Sequence, residues 1–245
     1  MTDNHIQYYH KVMQGGDEWY ALRLGILTAS AMKNCITPTL KVANNDKTKS
    51  HVYEIVAQRV TGFVEPTFQT YDMVRGHTEE VYAKGLYSEN YNQVQDCGFI
   101  TNNKYGFTLG FSPDGLIGEH GLIEVKSRNQ KTQVKTIVEE DSAKYVMIQI
   151  QTGLMVSERK WCDFISYSNG MPMYVQRILP DEYIQAAILE AANEFENKCA
   201  EVMKKYLENT KELFVAERRD YEDGGDVIKP SHTGDGEIID YTMAG

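Results

Sequence analysis

The sequence predicts a mixed α/β or α+β fold: helices first, then a central mixed sheet with one inserted helix, then a closing helix that flanks it. Three observations predict it. Val52, Ile55, Val56 and Val60 recur at helical spacing in "KSHVYEIVAQRVTG", which stops at Gly62. From about residue 93 the pattern shifts to short β-branched or aromatic runs broken by Gly and Asn. From Asp181 to Phe214 an amphipathic pattern continues unbroken.

Taken in order, "ASAMKNCI" after Thr28 reads as a short helix with a Thr or Ser cap. The Val52 segment is the next helix, and "TEEVYAKGLYSENY" carries a further helical pattern. "QVQDCGFIT", "YGFTLGFS" and "GLIEVKS" read as strands. "SAKYVMIQIQTGLMVS" reads as a helix, although its middle alternates as a strand would. "KWCDFISYS" and "MYVQRIL" are strands, and the long helix starts at an Asp181 cap. Residues 1–219 contain no repeat and no Pro- or Ser-rich linker, so they form a single expected domain. Residues 220–245 are rich in Gly and acid, lack periodicity, and are expected to be a flexible tail.

Composition narrows the function classes. The chain of 245 residues carries a formal net charge of −10, which argues against a general nucleic-acid binder but leaves room for a local basic patch. Arg23, Lys33, Lys126, Arg128, Lys131 and Lys135 are the candidates for such a patch. The N-terminus shows no secretory pattern, and no apolar run approaches the roughly 20 residues that span a bilayer. Cys35, Cys97, Cys162 and Cys199 stand far apart without a CxxC pair, which suits reduced thiols in a cytoplasmic protein and not a zinc or iron–sulfur site.

The stretch "SPDGLIGEHGLIEVKS", Ser112 to Ser127, places charge where burial is expected. Side chains alternate along a strand, so Glu124 and Lys126 share one face while Ile123 and Val125 share the other. Asp114 follows Pro113 at a strand end, and the Gly-rich turn can return it against Glu124. Two neighbouring buried carboxylates repel, and a divalent cation with hard oxygen ligands removes that cost. Lys126 beside such an ion can orient or deprotonate water, or neutralise charge on a phosphate. The set suits Mg²⁺-assisted phosphodiester hydrolysis. The plain alternative is a surface hairpin with an ordinary Glu–Lys pair.

The pattern P-D-x(n)-E-x-K resembles the PD-(D/E)xK nuclease superfamily with its restriction-endonuclease-like core, and "GFSPDGLIGEHGLIEVKS" resembles the phage lambda exonuclease/YqaJ viral recombinase family in particular. "GDEWYALRLGILTAS", "RGHTEEVYA" and "QIQTGLMV" resemble further motifs of that family, in the same order. The resemblance implies that Asp114, Glu124, the Val125 carbonyl and Glu80 hold Mg²⁺, with Mn²⁺ as a substitute and two ions during catalysis. It implies that Lys126 acts on the nucleophilic water and that Gln149 positions water or phosphate. Glu79 competes with Glu80 for the role of the helix acid. Arg23, Thr28 and Ser30 would hold a terminal 5′-phosphate. The expected helix start at Thr28–Ser30 supports this independently, since free N–H groups there favour an anion, and an arginine offers a bidentate fork.

The implied activity is digestion of linear double-stranded DNA from 5′ ends to mononucleotides, leaving 3′ single strands for recombination by single-strand annealing. Also implied are a homotrimeric ring, a phage single-strand annealing protein as partner, no membrane, and a phage or prophage gene acting in the bacterial cytoplasm. The alternatives are another PD-(D/E)xK endonuclease or RecB-like nuclease, a non-catalytic DNA-end binding module, and an interaction protein that does not touch nucleic acid.

Overall fold

The computed structural model describes residues 5–65, 70–139 and 146–218. The expected flexible tail at 220–245 therefore lies outside the described residues. The chain divides into two units, Met1–Glu208 and Asn209–Gly245. The described start of the second unit holds one turn, closed by Leu213 N–H donating to the Thr210 carbonyl at 3.0 Å.

The first unit is a mixed α+β fold. In chain order it runs β1 (Ile6–Tyr9), α1 (Asp17–Arg23), β2 (Leu27–Thr28), a 3₁₀ turn (Met32–Asn34), α2 (Asp46–Thr61), α3 (Tyr71–Asn90), β3 (Phe99–Asn102) and β4 (Leu109–Phe111). It continues with β5 (Gly115–Ile117), β6 (Gly121–Ser127), α4 (Gln130–Glu139), α5 (Met147–Ser157), β7 (Trp161–Tyr167), β8 (Tyr174–Ile178) and α6 (Glu182–Asn209). The strands form two mixed four-stranded sheets, ordered β1-β3-β4-β2 and β5-β6-β7-β8, in place of one continuous central sheet. The break falls between β4 and β5, where Ser112, Pro113 and Asp114 intervene and Pro113 brings no ladder donor.

Local chemistry explains most boundaries. Asn45 caps α2 by accepting the Thr48 N–H, and Gly62 ends that helix in the left-handed region. Asp181 caps α6 through the Ile184 N–H at 3.0 Å. The alternating segment before Ser157 is helix, because α5 is buried nearly all round and shows no clean face. α4 has the opposite pattern to the usual one. It buries Gln133 and Thr136 and exposes Val134 and Val138. Gln133 is satisfied inside by the Ser166 and Pro172 carbonyls and by the Ser166 hydroxyl, so apolar periodicity gave no sign of this helix.

Two expectations are corrected. "ASAMKNCI" is not a helix: Thr28 belongs to β2, paired in parallel with Gly110, and only the three-residue 3₁₀ turn follows. The Ala29 N–H goes to the Gly110 carbonyl at 2.8 Å, so sheet pairing takes the donor that a helix start would have left free. No α-helix starts at Thr28–Ser30, so no free helix N–H groups are offered to an anion there. The closing helix also ends at Asn209, short of Phe214.

Two apolar clusters set the site. The larger gathers Leu27, Leu109, Phe111, Leu122, Phe164 and Phe195 among others, between the sheets, α5 and α6. The smaller, with Ala83, Tyr87, Ile123, Val125 and Ile165, seats α3 on the second sheet. Each fully buried side chain of this size contributes about 1.5–3 kcal/mol. Tyr87 Oη donates to Asp163 Oδ2 at 2.6 Å, and Arg177 grips the same carboxylate at 2.8 and 2.9 Å, which ties α3 to β7 and β8. Among the described residues no helix is long and apolar enough to cross a membrane.

Candidate active site

The second sheet carries Glu124 into the interior. β6 lies between β5, antiparallel, and β7, parallel, so Glu124 sits opposite Phe164 and is 1% exposed. The β5–β6 hairpin pairs Gly115 with Ile123, and this returns Asp114 to the same level. Asp114 Oδ2 accepts the Val125 N–H at 2.6 Å. Lys126 Nζ donates to Glu124 Oε1 at 2.5 Å, while Glu124 Oε2 is buried with no hydrogen-bond partner among the described residues.

α3 supplies the third acid. Glu80 binds Lys84 Nζ at 3.2 Å and lines a cleft of about 920 Å³ together with Lys84 and Asp114. Glu79 points elsewhere and accepts a hydrogen bond from the Ser127 hydroxyl. Of the two helix acids, Glu80 is the one that lines the cleft beside Asp114.

Electrostatics agrees with this grouping. Burial, and then the Asp114 charge, push the Glu80 carboxyl up to about 7. Burial also pushes Glu124 up to about 7, with Asp114 adding and Lys126 opposing. Asp114 is raised by burial against the pull of Lys126. Burial works to lower Lys126, but Glu124 and Asp114 outweigh it and hold the ammonium above its ordinary value.

The same cleft is lined by Arg23, Thr28 and Ser30. Arg23 Nη1 and Trp19 Nε1 both donate to Ser112 Oγ, at 3.1 and 2.9 Å. The guanidinium lies 4.2 Å from the Trp19 ring centroid, and burial lowers it only to about 10, so it stays charged. The Thr28 and Ser30 hydroxyls are 3.4 Å apart. Between them and Arg23, Gly25 holds φ +68°, and an added Cβ would lie 2.8 Å from Arg59 Cγ. Gln58 accepts the Gly25 N–H at 2.9 Å, and Arg59 donates to its carbonyl at 2.9 Å. α2 thereby fixes the turn that spaces the two groups.

Gln149 stands on the first turn of α5. The middle of α5 packs on the Phe111 ring through Gly153, and its far end meets Asn102, whose Nδ2 donates to the Val156 carbonyl, while Gln149 is not among the residues lining the cleft with Glu80 and Asp114. Among the described residues no hydrogen bond joins Gln149 to the acids. Its neighbour Gln151 is a packing amide, bound to the Leu179 carbonyl and the Asp181 N–H. Of the other candidate cations, Lys33 lines the cleft, whereas Lys135 stands on α4 and pairs with Glu139 at 3.7 Å.

The family model of the YqaJ-like viral recombinase domain matches residues 18–160, more than half of the chain. The chain belongs to that family. Among solved structures it is similar to an alkaline exonuclease (LHK-Exo) from Laribacter hongkongensis, with a TM-score of 0.65 and 29% identity over 79% of this chain and 100% of that one. The same enzyme in complex with dAMP gives a TM-score of 0.65 and 30% identity over the same shares, 79% and 100%. A phage related exonuclease from Haemophilus somnus 129PT shares the fold, with a TM-score of 0.59 at 14% identity over 74% of this chain and 96% of that one. No curated protein matches. Family and neighbours together support an exonuclease of phage type.

For a YqaJ-family site, the residues fit a divalent cation. A buried carboxylate oxygen without a partner, beside two more acids, is an oxygen-rich and electron-rich set of the kind Mg²⁺ takes. Magnesium usually binds one or two carboxylates and fills the rest with water and phosphate. Among the described residues no three His, Cys, Asp or Glu side chains stand together closely enough to hold a metal ion by themselves, so water and phosphate would have to complete the shell of an ion bound here.

Sequence reasoning missed two participants, Lys84, which lines the cleft, and Ser112, which is bonded by the cleft residues Trp19 and Arg23. Ser112 sits inside the quoted hairpin motif, and its position next to Asp114 was the available signal. Lys84 reads as an ordinary i,i+4 partner of Glu80, and nothing in the sequence shows that the pair faces a cleft.

A stability prediction follows from Glu124. A carboxyl raised from an ordinary 4.5 to about 7 contributes stability below pH 4.5 that is lost as pH rises through 7. Glu124→Gln removes that charge and keeps an acceptor for Lys126. In the metal-free protein at pH 8 the variant is expected to gain on the order of 1–3 kcal/mol. At about 2–4 °C per kcal/mol for a chain of this size, melting curves in chelator resolve the gain. The difference should shrink at pH 5, and a variant that melts lower than wild type at pH 8 contradicts the account.

Proposed function

We propose that this chain is a divalent-metal-dependent exonuclease that engages the end of linear double-stranded DNA, removes mononucleotides from the 5′ end and leaves a 3′ single strand. One observation carries the reading: Arg23, Thr28 and Ser30 share a single cleft with Glu80 and Asp114, and Val125 links Asp114 to Glu124 and Lys126. An anion-binding group beside an acidic group suits a substrate that presents a terminal phosphate and a scissile one together.

Asp114, Glu124, Glu80 and the Val125 carbonyl would hold Mg²⁺, or Mn²⁺ in its place, with a second ion completed by water and DNA phosphate. When bound, the metal supplies Lewis-acid activation of water and phosphate. Lys126 orients the water and offsets charge growing on the phosphate. The water oxygen forms a bond to phosphorus, the bond from phosphorus to the 3′ oxygen breaks, and that oxygen leaves with a proton. A 5′-mononucleotide is released, and the shortened strand carries a new 5′-phosphate. Arg23 offers two N–H groups to that phosphate, Thr28 and Ser30 add hydroxyls, and Ser112 is free to donate its own proton while accepting from Arg23 and Trp19. Gln149 would help position the water or the phosphate.

The proposed setting is a homotrimeric ring around the DNA, working with a phage single-strand annealing protein in the cytoplasm of a bacterial host. The reading is tested by incubating 5′-phosphorylated linear, 5′-hydroxyl linear and closed circular duplexes, each with Mg²⁺ and with chelator. Mononucleotides are expected from the linear substrates only, with Mg²⁺ only, and fastest from phosphorylated ends. Cutting of the circle identifies an endonuclease, and end binding without product identifies a non-catalytic module.

A further inference from the structure

We propose that Lys84 is a placeholder cation: its ammonium holds the Glu80 carboxylate until a divalent cation arrives, and then passes to Asp96. The inference rests on the reading of Glu80 as part of the metal site. Glu80 and Lys84 are four residues apart on α3, a spacing at which opposite charges commonly pair in solvent. Here the pair lines the cleft, with side chains 26% and 23% exposed, next to Asp114. Lys84 Nζ also reaches Asp96 Oδ1 at 3.3 Å, and the Asp96 side chain, from the segment before β3, is open to water at 89% exposure. One ammonium therefore spans Glu80 and a second, more exposed acid that lines the same cleft.

A dication and an ammonium cannot share one carboxylate oxygen at bonding distance, because the two cations would repel at about 3 Å with little water between them. Metal at Glu80 requires Lys84 to let go. Asp96 lies within reach of the same nitrogen, so the ammonium changes partner without becoming unpaired.

The experiment is a Mn²⁺ titration of the full chain without DNA, followed by electron paramagnetic resonance or calorimetry. It compares wild type, Lys84→Met, Asp96→Asn, the double variant, and Glu80→Gln. Lys84→Met removes the competitor and is expected to tighten Mn²⁺ binding by about 3- to 10-fold, the scale of a partly exposed ion pair. Asp96→Asn removes the second holder and is expected to weaken it. In the Lys84→Met background Asp96→Asn is expected to have almost no further effect, since no ammonium remains to receive. Effects that simply multiply show that both residues act only through their general field, and they overturn the proposal. So does unchanged or weaker binding in Lys84→Met while Glu80→Gln still loses affinity. If wild type binds no Mn²⁺, or Glu80→Gln binds as well as wild type, the metal reading of Glu80 fails and takes the placeholder with it.

Discussion

Replacing Asp114, Glu124 or Lys126 by alanine is expected to reduce Mg²⁺-dependent cleavage by about 10³-fold or more in a chain that still folds. The three side chains form one connected unit. Asp114 holds the Val125 N–H, Glu124 is the next residue back, and Lys126 bonds to Glu124 across the strand face. Groups that assemble one metal–water–phosphate arrangement fail together, so a double variant should be little worse than either single one. Single-turnover digestion, with circular dichroism as the check on folding, measures this. Near-normal turnover in any single variant removes that residue from the site. A loss confined to Asp114→Ala would point to the β5–β6 connection, and not to metal chemistry, as the cause.

Arg23→Ala is expected to weaken the handling of 5′-phosphorylated ends by roughly 10- to 100-fold, the loss of a charge-assisted hydrogen bond of about 1.5–3 kcal/mol. Arg23 is absent from the acidic cluster, so slow cutting should persist while successive cuts without release are lost. The comparison is between phosphorylated and hydroxyl ends for wild type, Arg23→Ala and Arg23→Lys. Lysine keeps the charge but gives up the planar fork and most of the stacking on Trp19, so it should recover only part of the preference. A variant that keeps the full wild-type preference for a 5′-phosphate would confine Arg23 to holding Ser112, two residues before Asp114.

The hairpin was legible because its chemistry is local. Strand alternation places Glu124 and Lys126 on one face, a Gly-rich turn returns Asp114, and both features depend on residues within about 15 positions of each other. Fold class was legible from periodicity, and the capped, amphipathic helices α2 and α6 follow from the spacing of Val52–Val60 and from Asp181. α4 was not legible, because it satisfies Gln133 internally and turns valines to solvent.

By itself, the sequence determined a mixed α+β chain, a carboxylate–carboxylate–lysine hairpin, and the motif order that matches the YqaJ-like family. Tertiary structure decided what is done with the rest. Thr28 is spent on pairing with Gly110 and does not cap a helix, because a parallel strand partner some 80 residues away offers its backbone a better bond. Glu80 lines the cleft with Asp114 while Glu79 takes the Ser127 hydroxyl on β6, and this division depends on how α3 seats on the second sheet. Arg23 meets the Asp114 loop only because α2 grips Gly25 through Gln58 and Arg59. These outcomes depend on contacts between segments distant along the chain, and residue spacing carries no record of them.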